Sequence, residues 1–166
     1  GDAQVQVGQR RGDDPLVVAQ QREAAILQAN ADASKARAEL AEAEARTAKA
    51  DLEKKRVAEE QAKFDARLKA EQAEQGRLAS LSASAADKTA AEAEAARLAK
   101  ENDEAQRLAA AKAAEAEAAR TRDEKAQADA KALKVRQEEE AAAAARSADV
   151  ARVAAQSAAT PKGAAG

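Results

Sequence analysis

Only two prolines occur in this chain, Pro15 and Pro161, and between them lies a single glycine, Gly76. Proline and glycine weaken a helix interior most, by roughly 3 and 1 kcal/mol relative to alanine. Here both are pushed toward the edges. The residues between the prolines are dominated by Ala, Glu, Lys, Arg, Gln and Leu, the strongest helix formers. This predicts an all-α chain of long Ala-rich helices, without β-sheet over residues 16–159. Two architectures satisfy it: a coiled-coil helical hairpin, or a single extended helical rod about 215 Å long at 1.5 Å per residue. A hairpin would be about half that length.

The same composition rules out an ordinary globular core. The chain of 166 residues has no Cys, Met, Trp, Tyr or His, and Phe64 is its one aromatic residue. Large apolar side chains are too scarce for a domain of this length, a shortage that signals disorder or a long helix; the Ala/Glu/Lys/Arg/Leu bias favours the helix. Without His or Cys the usual general base, the thiol nucleophile and the common transition-metal ligands are missing. The expectation is a protein that is not an enzyme, with no cofactor and no small-molecule substrate. Glu138-Glu139-Glu140 is the densest acidic run and reads as a solvated face.

Net charge is −2, with both signs finely mixed. Lys54-Lys55-Arg56 sits among Glu53, Glu59 and Glu60, which cancel its field. With no aromatic residues for base stacking, nucleic acid is not an expected partner. Arg11-Gly12-Asp13 spells an integrin-recognition tripeptide, but three-residue matches are common by chance. No apolar run approaches the roughly 18 residues of a membrane span, and alanine faces bind lipid poorly, so a membrane is not an expected partner either. The chain does not begin with Met, as expected of a processed product, for instance after signal cleavage, or of a fragment.

Helix boundaries are written into the ends. Asp14-Pro15 reads as an N-cap followed by proline at the first helical position. Thr160-Pro161-Lys162-Gly163 reads as a stop. The expected organisation is a flexible tail over 1–14, a helical region over 15–160 and a second flexible tail over 161–166. Within the helical region, 76–88 holds the interior glycine and a run of serines with few charges, and reads as a turn. Ser84 with Asp87, or Thr89 with Glu92, could form a capping box there. Folding about Ala83 would set Leu68 beside Leu98, Val57 beside Leu108 and Leu16 beside Val150.

Two stripes step alternately by three and four residues, the coiled-coil spacing. The first runs through Ile26, Ala29, Ala33, Ala36, Leu40, Ala43, Thr47, Ala50, Lys54, Val57, Gln61, Phe64 and Leu68, then weakens before Leu78. The second runs through Ala91, Ala95, Leu98, Asn102, Ala105, Ala109, Lys112, Ala116, Ala119, Asp123, Ala126, Ala130 and Leu133, and on to Ala154. The large residues on or near these stripes are the expected interface: Ile26, Leu40, Val57, Phe64, Leu68, Leu78, Leu98, Leu108 and Leu133. Five acid-first pairs at four-residue spacing flank the stripes: Glu42–Arg46, Asp51–Lys55, Glu59–Lys63, Asp65–Lys69 and Asp103–Arg107. Each would add about 0.2–0.5 kcal/mol to a helix.

Segments such as Ala41-Glu-Ala-Glu-Ala-Arg-Thr-Ala-Lys49 and Ala110-Ala-Lys-Ala-Ala-Glu-Ala-Glu-Ala-Ala-Arg120 resemble the Ala/Glu/Lys-rich helical middle region of TolA-type envelope proteins. They also resemble the helical spacers beside peptidoglycan-binding domains in OmpA-like proteins. The resemblance is compositional, covers roughly residues 16–159, and implies a periplasmic or extracellular bacterial spacer. The composition is also similar to that of late-embryogenesis-abundant desiccation proteins. The expected function is therefore a structural spacer or self-assembling coiled-coil rod, partnered by itself or by another helical protein. The alternative is a hydrophilic, conditionally disordered stress protectant. A rod needs a seam between helices and a protectant does not.

Overall fold

The computed structural model describes residues 14–159. Two helices, α1 (Pro15–Ser82) and α2 (Lys88–Ala159), form a helical hairpin. They account for 96% of the described residues, with no strand among them. The tails on either side, including Arg11-Gly12-Asp13 and the stop at Thr160-Pro161, lie outside the described residues. Asp14 does not belong to a tail: its carboxylate accepts the Leu16 amide at 2.8 Å and its carbonyl the Val18 amide at 2.9 Å. That satisfies donors that the start of a helix leaves free.

The connection is short and uses no glycine. The Ser82 hydroxyl turns back onto the carbonyls of Leu78 (3.1 Å) and Ala79 (3.4 Å). This local bond competes with continuation of the helix. The Asp87 amide then donates to the Ser84 carbonyl at 3.1 Å, and the Asp87 carbonyl takes the Ala91 amide at 2.9 Å to open α2. Asp87 therefore stands at the cap of α2, not one turn inside it, so the expected Ser84–Asp87 capping box takes another form. The Ser84 hydroxyl donates to the Asp87 carboxylate at 3.0 Å, tying the two ends of the turn together. Gly76, read from sequence as part of the turn, lies within α1 and is buried. Its role is close approach: a Cβ there would stand 2.6 Å from the Leu98 Cδ1 and 3.5 Å from the Ala95 Cα.

Contacts divide the described chain into two units. The turn unit is Glu44–Ala126; the terminal unit combines the described residues up to Ala43 with those from Gln127 onward. In the turn unit, Gly76 meets Leu98, Lys69 reaches Glu101 at 3.5 Å, Gln106 donates to the Ala66 carbonyl at 3.0 Å, and Arg122 approaches Asp51 at 3.8 Å. In the terminal unit, Ser34 bonds Glu140. Each of these pairs is centred near residue 86, about three residues beyond the Ala83 fold point expected from sequence. The expected pairings of Leu68 with Leu98, Val57 with Leu108 and Leu16 with Val150 belong to that other register. Leu68, Val57, Leu108, Leu16 and Val150 are all exposed.

Candidate functional site

The feature that organises both units is the seam between the helices. On α1 one run of shielded positions steps by three and four without a gap: Val17, Gln20, Ala24, Leu27, Ala31, Ser34, Ala38, Ala41, Ala45, Ala48, Leu52, Lys55, Glu59, Ala62, Ala66, Lys69, Ala73, Gly76 and Ser80, with further half-buried residues such as Ala43, Asp51, Ala58 and Ala70 beside it. On α2 every position of the second stripe read from sequence, Ala91 through Ala154, is shielded, and Ala158 continues it. A strict heptad repeat on both helices keeps one face of each toward the other. The α2 stripe was legible before the fold. The α1 stripe was not: the seam lies on the face opposite the stripe that carries Ile26, Leu40, Val57, Phe64, Leu68 and Leu78.

Those six residues are exposed, Phe64 and Ile26 by more than 60%. Of the nine expected interface residues, Leu98 and Leu133 sit half-buried in the seam, while Leu108 is exposed on α2. The core is instead alanine: Ala38, Ala116 and Ala144 are each 1% exposed, and Ala62, Ala66, Ala105 and Ala109 form one buried cluster. The reason is geometric. The distance between helix axes is set by the side chains at the contact. Methyl groups on both sides let the backbones come close, and a Phe or Leu on each side would hold them apart. Where a large residue does enter the seam, the register sets small ones opposite it. Leu98 lies over Gly76.

Polar residues occupy some of the seam positions. In the terminal unit Ser34, 3% exposed, donates its hydroxyl to Glu140. The Arg136 Nε donates to the other carboxylate oxygen at 3.1 Å. Asn30, Ala33 and Arg37 complete a small polar groove beside this pair. The Ser34 hydroxyl, then Arg136 and Arg37, hold the Glu140 carboxyl below its ordinary range against a smaller opposing effect of desolvation. Glu140 is thus not part of a solvated acidic face, as the run Glu138-Glu139-Glu140 suggested; Glu138 and Glu139 are exposed, whereas Glu140 serves the seam. In the turn unit, Asp51 lies 3.3 Å from Lys55 and 3.8 Å from Arg122.

Such pairs contribute to register. An alanine seam looks alike after a slip of one heptad, whereas Ser34–Glu140 and Lys69–Glu101 exist in one alignment. Two of the five acid-first pairs form, Asp51–Lys55 and Glu59–Lys63. Lys69 turns across to Glu101 instead of pairing with Asp65.

A carboxylate with a depressed pKa stabilises the fold above its unfolded value of about 4.3 and loses that contribution as pH falls through the depressed value. Glu140→Gln is therefore expected to melt below the parent at pH 7. The two melting temperatures should converge as the pH falls through the depressed value and the parent is protonated too. Thermal denaturation followed by circular dichroism at pH 7 and along an acid series checks this. A gap that persists unchanged in acid would mean that charge at Glu140 does not matter.

Among the described residues no group of three or more Asp or Glu side chains could hold a metal ion, and no helix is long and apolar enough to cross a membrane. A shallow groove beside Lys63, Ala66, Arg67, Gln106 and Ala109 is open to solvent. No protein-family model matches the chain, and no curated protein or solved structure matches it significantly.

Proposed function

We propose that this chain is a non-enzymatic structural spacer, a coiled-coil rod that works by pairing helices. The observation that carries this reading is the uninterrupted heptad seam on both helices. A seam of small residues held in register by Ser34–Glu140 and Lys69–Glu101 is what a rod requires and what a disordered protectant has no use for. The resemblance to envelope spacers supports a periplasmic or extracellular bacterial setting. The outward faces, rich in alternating Glu, Lys and Arg, suit a spacer that must stay solvated along its sides.

The test is circular dichroism of the full chain in dilute aqueous buffer. A rod gives high helicity with a cooperative, reversible melt. A protectant gives a coil spectrum in water that turns helical on drying or in alcohol, and that result would reject the spacer.

A further inference from the structure

We propose that the turn is a hinge: residues 83–87 straighten into helix, the hairpin opens, and two copies of this chain close on each other as an antiparallel, domain-swapped dimer. In it α1 of each copy pairs with α2 of the other. This rests on the rod reading and names its partner. The connection is Ala83-Ser84-Ala85-Ala86-Asp87. It contains neither glycine nor proline, and no described residue of the chain has a positive φ. Nothing in that backbone forbids helix, and alanine favours it most. What holds the turn is local and polar. The Ser84 hydroxyl donates to the Asp87 carboxylate, the Asp87 amide to the Ser84 carbonyl, and the Ser82 hydroxyl back to its own helix.

The phase of the two seam stripes fits the open form. Ser80, the last position of the α1 stripe, and Ala91, the first of the α2 stripe, are eleven residues apart. Steps of four, three and four through Ser84 and Asp87 join them. Eleven residues close three helical turns to within about 20°, and such a step breaks a heptad repeat without moving the seam off its face. A continuous helix therefore carries both stripes on one side. Two such helices, antiparallel about a twofold axis near residue 86, reproduce between copies the pairs that each unit makes within one chain. Gly76 meets Leu98, Lys69 meets Glu101, Gln106 meets Ala66 and Ser34 meets Glu140, each twice by symmetry. A second copy holds the complementary stripe in the same register, because it is the same hairpin opened. The exchange adds the five hinge residues to the helical ladder. It gives up the α2 cap and sets the two Asp87 carboxylates together near the axis, where like charges oppose association. Closing one chain on itself does not depend on concentration, whereas joining two does. The hairpin therefore holds in dilute solution, and the dimer takes over as the chain is concentrated.

The experiment is to unfold the full chain in urea, refold it over about two decades of concentration and measure sedimentation equilibrium, with circular dichroism of every variant. The parent should be monomeric when dilute and dimeric when concentrated. Asp87→Ala removes the cap from the hairpin and the like charges from the dimer, and should strengthen the dimer about tenfold or more. Lys88→Pro acts the other way. Lys88 is the first residue of α2, where proline is tolerated. Inside a continuous helix the same proline loses a backbone bond and clashes with the preceding turn. This variant should stay monomeric with the helicity of the parent. The chain has no cysteine, so Glu71→Cys with Lys100→Cys, both exposed, takes two spin labels at one level of the hairpin. Refolded dilute, the labels should lie roughly 20 Å apart. Refolded concentrated with excess unlabelled chain, that distance should give way to about 44 Å, the rise of about 29 helical residues. A helical chain that is monomeric at every concentration, a dimer that survives Lys88→Pro, or a short distance that persists in the concentrated mixture would each overturn the exchange while leaving the rod reading intact. A coil spectrum would overturn both.

Discussion

Ala66→Phe is expected to cost the turn unit about 1–3 kcal/mol, while Phe64→Ala with Leu68→Ala, on the outer face of the same helix, changes hairpin stability by no more than about 0.5 kcal/mol. This inverts the usual ranking, in which bulk marks the core. Ala66 is 4% exposed within the cluster of Ala62, Ala105 and Ala109. A ring placed there has no room unless the helices separate, and separation would strip contacts from the neighbouring layers of the seam. Phe64 is 64% exposed and touches little that folding protects. Urea denaturation followed by circular dichroism, on protein dilute enough to be monomeric, measures both. Equal effects would mean that the seam is not where the helices hold each other.

The second large effect is expected at Gly76. Gly76→Leu sets two leucines against each other where the seam has room for one, and should cost about 3 kcal/mol. Adding Leu98→Ala should recover most of that loss, since a single leucine then again faces a small residue across the seam. A double-mutant cycle isolates this coupling from the separate effects of each change. Gly76→Ala is a milder case. It gains about 1 kcal/mol of helix propensity and asks the Leu98 methyl, 2.6 Å from where the new Cβ would stand, to rotate away. Because that atom is the end of a flexible side chain, the cost is on the order of a strained rotamer, about 0.5–1.5 kcal/mol, and the net change is small. If Leu98→Ala fails to rescue Gly76→Leu, the two positions do not face each other and the register is different.

How much of this the sequence disclosed depends on the helix. On α2 two of the large residues, Leu98 and Leu133, fall in step with the alanines and mark the stripe, while Leu108, Val135, Val150 and Val153 lie off it and are exposed. On α1 two stripes at the same period occupy opposite faces. Ile26, Leu40, Val57, Phe64, Leu68 and Leu78 occupy one, and Ala31, Ala38, Ala45 and Ala66 the other. Preferring bulk selects the outer one. Nothing local separates them, because the decision rests on what α2 can accommodate, and α2 presents mostly methyl groups. The hairpin itself was legible as one of two architectures, from the serines and the scarcity of charge before residue 88. Its register was not. Ser34 and Glu140 are 106 residues apart, and no pattern along the chain links them. Gly76 misled for a related reason: a glycine that permits a turn and a glycine that permits close approach look the same in a sequence.

The alanine seam also fixes how the fold responds to temperature. Alanine has no side-chain rotamers to freeze, so each layer closes at little entropic cost beyond the backbone. It also withdraws little apolar surface from water, and the heat-capacity change of unfolding scales with that surface. A hairpin closed by methyl groups should therefore have a shallow, broad stability curve, with a lower maximum than a leucine-packed coil of equal length. Its advantage lies at the extremes. Less of its stability depends on a hydrophobic driving force that fades on cooling, so the chain trades peak strength for evenness across a wide range of conditions.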